Sequence, residues 1–461
     1  MFINNKLACH QLQQVQKNIQ NSSTYSFFNL LTCDALLGKV EPLLPEHRER
    51  LYPPTETLSM FLAQAMNTDR SCQNIVNQSA IQKVAGGIIP GSTGTGGYCK
   101  ARKRLPERLI SNLTQEVGSL IDQHTPTEWR WKKRRVRLVD GTTVTMPDTP
   151  ENQKTFPQQG AQKPGLGFPI CRLVGITCLA SGALLNVAMG RFNGKGSDEQ
   201  TLLRTIMDTF DAGDIVMGDA FFATYFFIAE MQARGVDILM EQHGARRRST
   251  DFRKGQSLGA RDHLIVLNKS KIRPSWMSKE EYDAAPSTVT VRELKVGGKV
   301  LITTLNCPKF APKNELKTLY KSRWNVELDI RDIKDTMGMN ILSCKTPDMA
   351  IKEIWVYLLA YNLIRLLMAQ SALLADILPR KISFKHCLQL WLTAIQHLDM
   401  MDIDQQSNLF SLIAQQRVGK RPGRIEPRAV KRRPKAFPML MKPRADARAI
   451  VKKNGHPKKL K

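Results

Sequence analysis

The chain is expected to be an α/β protein, with a mixed sheet at its centre, a helical unit before it and a β-rich insertion within it. Three observations lead there. Residues 6–125 run without strand alternation. From Val136, short β-branched and helical segments follow in the order β-β-β-α-β-α-β, which calls for three antiparallel strands and then two reached by helical crossovers. Residues 244–300 leave that pattern for turn residues and short β runs, until Leu301–Leu305 resumes it.

The N-terminal unit, residues 1–126, is interrupted at Pro53-Pro54 and by the glycine-rich stretch 86–97, both helix breakers. After the glycines comes YCKARKRLPERL, a helix bearing Lys100, Arg102, Lys103 and Arg104. It suits either phosphates or solvent, and Arg102 and Lys103 are its expected phosphate contacts. The first part of the core, 127–243, opens with a strand over Val136–Val144. The strands Cys171–Leu179 and Ala183–Met189 follow, joined through Ala180-Ser-Gly as a hairpin. Ser197-Asp-Glu-Gln200 is a capping-box pattern starting a helix to about Asp211, with Asp198 and Glu199 as first-turn acids complementing its dipole. A strand over Ile215–Asp219, a helix through Ala233 and a strand over Val236–Met240 complete the order. The insertion occupies 244–300, the second part of the core with its C-terminal helices 301–400, and a Pro- and Lys/Arg-rich arm 401–461.

The 461 residues carry 68 Lys+Arg against 41 Asp+Glu, a net charge of +27, with 42% hydrophobic residues. That composition excludes a wholly disordered chain and points to a polyanionic partner. Residues 416–461 alone hold 17 Lys/Arg and 2 Asp/Glu, net +15, so the body retains +12. No two of the nine cysteines stand closer than seven positions, which leaves no CxxC pair and fits a reducing compartment. Ile354–Ala375 is long enough to span a bilayer, yet Arg365 sits at its middle with Asn362 and Gln370 nearby, so it is expected as a buried helix. No membrane partner is expected. The histidines His124, His243 and His263 show no metal-ligand spacing.

Pro312 to about Met337 is expected as one long helix. With Tyr320 as zero, Leu319, Val326, Ile330, Ile333 and Met337 fall between about −80° and −140°, the core-facing stripe. Arg323, Glu327, Arg331 and Lys334 fall between about −60° and +20°, a row beside the core, while Asp329, Asp332 and Asp335 lie elsewhere. Such a row suits phosphates and a metal; it also suits an exposed helix with i,i+4 pairs. Asp140 shares a strand face with Val136 and Leu138, and Asp219 shares one with Ile215 and Met217 at a strand's carboxyl end. A hairpin turn at Asp140-Gly141 and a helix cap at Asp219 are the structural alternatives. If the first strand lies beside the fourth, both aspartates meet and the helix can supply Glu327. Three carboxylates suit two divalent ions about 3.5–4 Å apart that serve in-line phosphoryl transfer.

These residues resemble the DDE transposases of bacterial insertion sequences, of the insertion-sequence-four type with its YREK signature. The signature stands unbroken as Tyr320, Arg323, Glu327 and Lys334. Val139-Asp140-Gly141-Thr142 and Gly218-Asp219-Ala-Phe-Phe222 are similar to the two aspartate motifs, and residues 421–435 to the C-terminal arm. The likeness covers roughly 70 to 435. It implies a ribonuclease-H-like core with a β-rich insertion, and two Mg²⁺ ions, with Mn²⁺ able to substitute, held by Asp140, Asp219 and Glu327. It also implies cut-and-paste transposition on double-stranded DNA, with terminal inverted repeats and target bound by a homodimer in the bacterial cytoplasm, at the nucleoid. Tyr320, Arg323 and Lys334 would grip phosphates at the transposon end, with Arg331 beside them. Some members flip a base onto a Trp in the insertion; Trp276 is the one Trp between 244 and 300, and no motif ties it to that role. The rivals are a structure-selective nuclease on the same core and a degenerate DNA-binding inhibitor, against which the intact carboxylates count.

Overall fold

The computed structural model describes residue 42, residues 52–394 apart from 86, 88–91, 195 and 248, and residues 403–419 and 440–455. Residues 86 and 88–91 of the glycine-rich turn and residues 420–439 of the arm lie outside these. The helical N-terminal part consists of α1 (Pro54–Met66), α2 (Cys72–Ala85), α3 (Gly96–Arg104) and α4 (Glu107–Gln123).

A nine-stranded mixed sheet follows: β1 (Val136–Thr145), β2 (Ile170–Cys178), β3 (Leu184–Arg191), β4 (Ile215–Gly218), β5 (Asp237–Glu241), β6 (Gln256–Gly259), β7 (Asp262–Asn268), β8 (Thr288–Val296) and β9 (Lys299–Thr303). Its order is β3-β2-β1-β4-β5-β9-β8-β7-β6. The first three strands pair antiparallel, and β1, β4 and β5 pair parallel. This is the mixed sheet expected from the element order, in the ribonuclease-H-like arrangement that the resemblance implied. Strands β6 to β8, from within 244–300, extend the same sheet through β9, which pairs antiparallel with β5.

Both faces of the sheet are covered, so the central strands are apolar on both sides, as parallel strands require. On one face Val139, Val174 and Val216 pack with Leu203 of α5 (Glu199–Arg204) and Phe227 of α6 (Tyr225–Ala233). On the other, Leu138, Ile215 and Met217 pack with Leu316 and Leu319 of α8 and Val326 of α9. Here α7 is Lys279–Ala284, α8 Lys313–Lys321 and α9 Trp324–Arg331. The expected capping box does not form: Asp198, not Ser197, caps α5, accepting from the Thr201 N–H at 3.1 Å.

The long helix expected over Pro312–Met337 is broken. The Ser322 hydroxyl donates back to the Leu319 carbonyl, and Asn325 Nδ2 donates to the Ser322 carbonyl at 2.7 Å. Side chains that compete in this way for backbone groups bend helices. After α9 the chain widens into a π-turn over Asp332–Thr336 and leaves through Gly338 at φ +82°. Asp329, expected off the core, is fully buried. It accepts from Arg365 Nη2 at 2.7 Å and is paired also with Arg380. Asp332 stands 3.5 Å from the same Arg365. Simple wheel geometry failed here because buried cations reach both carboxylates from outside the helix.

Arg365 lies on α10 (Pro347–Leu374), the expected buried helix. Its 18-residue apolar window is long and apolar enough to cross a membrane, but 89% of that window is buried, against α1, α4 and α12 (Ile403–Gln415) among others. α11 is Phe384–Ala394 and α13, an exposed helix within the arm, is Arg444–Asn454. A second buried cation, Arg137 of β1, joins Asp122 of α4 at 2.7 Å to Asp214 before β4 at 2.8 Å. It locks the helical part to the two strands that matter next.

Candidate active site

The parallel register pairs Val136 with Ile215, Arg137 with Val216 and Leu138 with Met217. Carried two residues further, it sets Asp140 level with Asp219. Neither structural alternative for these aspartates holds. Asp140 is inside β1, which continues to Thr145 opposite β2, with Asp140 facing Gly175; no turn occurs at Asp140-Gly141. The cap of α6 is Thr224, and Asp219 instead accepts from the Phe221 N–H at 2.9 Å. Gly218 permits the sharp exit from β4, since a Cβ there would stand 3.0 Å from the buried Phe222 ring.

α9 packs against β1 and brings Glu327 to the same side. The Arg323 guanidinium lies between the first and third carboxylates, 2.7 Å from Glu327 Oε1 and 3.6 Å from Asp140 Oδ2. Lys334, in the π-turn, donates to the Thr142 hydroxyl of β1 at 3.1 Å. Burial pushes the Asp140 carboxyl up to about 6. The Gly141 N–H and Arg323 oppose the rise, and the charges of Asp219 and Glu199 add to it. A carboxyl in that state gains from any cation brought to it.

The remaining expected residues divide. Tyr320 is buried, with Lys299 Nζ 5.9 Å from its ring, and burial pushes its hydroxyl up to about 12. Arg331 is exposed. Lys103 is exposed, but Arg102 is only 8% exposed, stacked between Phe61 and Tyr98 and donating to Gln64. The expectation that Arg102 reaches DNA is therefore corrected: neighbours in a helical run of cations point in different directions, and this one turns into the N-terminal core. Trp276 lies 3.6 Å below the Arg204 guanidinium and is edge-on to Phe226, yet remains 42% exposed. In the basic linker, Arg134 and Arg135 pair with Asp237 and Asp211. Glu199, expected only as a first-turn acid, has its carboxylate against Gly141; a residue in that position gives no sign of which strand its helix will cross.

Residues 131–363, half of the chain, match the family model described as the transposase DDE domain. The chain belongs to the DDE transposase family. The matched region of this transposase takes in both aspartates, Glu327 and Lys334. Over 414 residues the transposase is 27% identical to transposase InsG for insertion sequence element IS4 of Escherichia coli (strain K12), a span of 86% of this chain and 89% of that protein. It is thus of the IS4 type that the YREK spacing indicated. Members of this family generally use divalent metals. In this transposase the donors on offer are carboxylate oxygens, which suit a hard divalent cation, and a cation, Arg323, already stands between two of them. Among the described residues no three His, Cys, Asp or Glu side chains are closed around a single point.

Proposed function

We propose that the protein catalyses Mg²⁺-dependent cut-and-paste transposition, cleaving and joining DNA at the terminal inverted repeats of its element, with Asp140, Asp219 and Glu327 as the catalytic carboxylates. The observation that supports this most is the register of β1 and β4, which levels Asp140 with Asp219 on the side where α9 carries Glu327. The three carboxylates would hold two divalent ions, Mg²⁺ or Mn²⁺, whose chemistry is to activate the attacking oxygen and stabilise the leaving one. The other residues work on the DNA. Arg323 and Lys334 are within reach of a scissile phosphate, Tyr320 buttresses them, and Arg331 and Lys103 are exposed cations for flanking backbone.

In this reading the chain divides into a DNA-binding helical part (1–126), the core (127–243 and 301–400), its insertion (244–300) and the cationic arm (401–461), and works as a homodimer on paired ends in the bacterial cytoplasm. The test is incubation with a supercoiled plasmid carrying two element ends. Mg²⁺-dependent excision with joining to a target supports transposition. Cleavage without any joined product would favour a nuclease.

A further inference from the structure

Glu199 has no evident structural duty at its own helix. The cap of α5 is already filled by Asp198, which accepts from the Thr201 N–H and hydroxyl at 3.1 and 2.6 Å. The Glu199 side chain instead lies over the Asp140 strand. A Cβ on Gly141 would stand 2.3 Å from its carboxyl carbon and 2.4 and 2.7 Å from its oxygens, so any side chain at 141 would push the Glu199 carboxylate off this strand. The next residue grips the other aspartate's turn: Gln200 Nε2 donates to the Phe221 carbonyl at 2.5 Å, and its Oε1 accepts from the Thr224 hydroxyl at 3.0 Å. Two consecutive residues of α5 thus touch the backbone next to Asp140 and the turn after Asp219.

The charges around Glu199 are unbalanced. Burial raises its pKa; Arg172 opposes, and Asp219 and Asp198 add to the rise. Arg172 is itself engaged elsewhere, donating to the Ser197 carbonyl at 2.6 Å and lying 4.7 Å over the Phe192 ring. On this side of the pocket, away from Arg323, the carboxylates face one another with their one cation already committed, and such carboxylates destabilise one another unless a further positive charge arrives.

We propose that Glu199 is a positioning residue of the acidic pocket, fixing Gly141 and with it the Asp140 carboxylate, and raising the pocket's affinity for a divalent cation. The inference rests on the proposed role of Asp140, Asp219 and Glu327. Gln200 completes it by holding the Asp219 turn against the same helix.

The experiment uses the full-length protein and Mn²⁺ as the probe, with binding read without DNA by the electron-paramagnetic-resonance signal of free Mn²⁺, and cleavage of end-bearing DNA read alongside. Glu199→Gln keeps the size and removes the charge. It should bind Mn²⁺ about tenfold more weakly, within the range typical of supporting residues around metal ligands. The Mn²⁺ needed for half-maximal cleavage should rise in step, while melting temperature and DNA-end affinity stay unchanged. Gly141→Ala, which displaces the Glu199 carboxylate, should weaken Mn²⁺ binding and cleavage to the same extent as Glu199→Gln, and Gly141→Ala/Glu199→Ala should be no worse than either change alone. A merely structural Glu199 would leave the Mn²⁺ affinity unchanged in all three variants. Wild-type Mn²⁺ binding by Glu199→Gln, or a Gly141→Ala/Glu199→Ala loss equal to the sum of the two single losses, overturns the proposal. Wild-type Mn²⁺ binding and cleavage by Asp140→Asn would instead overturn the reading on which it rests, and the proposal with it.

Discussion

Arg323 and Glu327 form an i,i+4 pair at 2.7 Å, and the same guanidinium reaches Asp140 across the gap between helix and strand at 3.6 Å. The pair is thus more than a surface contact along one helix. Arg323 occupies the space where a bound cation would be favoured, and it is also the residue proposed to meet a phosphate.

From this follows a competition. In the absence of DNA, Arg323→Ala should bind Mn²⁺ about two- to fivefold more tightly than wild type, corresponding to a partly exposed ion pair worth roughly 0.5–1 kcal/mol. The variant should at the same time assemble poorly on element ends, because a phosphate loses its charged partner at a cost of about 1.5–3 kcal/mol. Calorimetric Mn²⁺ titration and gel-shift assays on one preparation check both. Unchanged metal affinity would mean that Arg323 does not guard the carboxylates.

Asp329 and Asp332 share Arg365 but are held very differently. Asp329→Ala should destabilise the fold by about 3–5 kcal/mol, because it leaves the buried Arg365 with only the longer contact to Asp332 and the half-buried Arg380 with none of the carboxylate it paired with. Asp332→Ala should cost about 1 kcal/mol or less, since Arg365 keeps Asp329. Cleavage per folded molecule should be spared in both. Denaturant unfolding with active-site-normalised rates measures the two effects separately.

The Arg137 network gives a prediction with a pH sign. Burial alone would raise the Asp122 pKa, but the hydrogen bond and charge of Arg137 outweigh it and hold the carboxyl below its ordinary value. A depressed carboxyl contributes stability above its unfolded pKa, about 3.9, and loses it as pH falls through the folded value. Arg137→Met should therefore lose about 3–5 kcal/mol at neutral pH, and the deficit should narrow as the pH falls, beginning above the unfolded value because burial raises carboxyls that have lost their cation. Unfolding curves at pH 7 and pH 3.5 compare the two states; a constant deficit would argue against the pairing.

The arm is best removed after residue 419, because Ser383 donates to the Gln416 carbonyl at 2.7 Å and Val418 to Lys381 at 2.9 Å. Residues 420–461 carry 16 Lys/Arg and 2 Asp/Glu, net +14. Their deletion should weaken nonspecific DNA binding and flatten the slope of log K against log salt by about 0.9 for each phosphate no longer neutralised. The core's melting temperature should not move.

The sheet was legible because strand periodicity and right-handed crossovers leave few ways to arrange β-β-β-α-β-α-β. Asp140 and Asp219 could be singled out because a carboxylate on an apolar strand face has to be accounted for. What the sequence could not give were relations across distant segments. The break at Ser322 depends on a side chain choosing a backbone carbonyl. The burial of Asp329 depends on cations 36 and 51 residues away. The inward turn of Arg102 depends on Phe61 and Tyr98. Glu199 was hidden for the same reason, since its partner Gly141 is 58 positions distant and carries no side chain to signal their proximity.

The three-carboxylate site is tested most directly by Mg²⁺-dependent cleavage of end-bearing DNA by Asp140→Asn, Asp219→Asn and Glu327→Gln, with end binding measured on the same preparations. Each variant should bind ends within about twofold of wild type, since affinity rests on cations, and cleave at least about a hundredfold more slowly, since each carboxylate serves the reacting phosphate. Cleavage at wild-type rates by any one of the three would contradict the assignment of that residue, and by all three the assignment of the site itself.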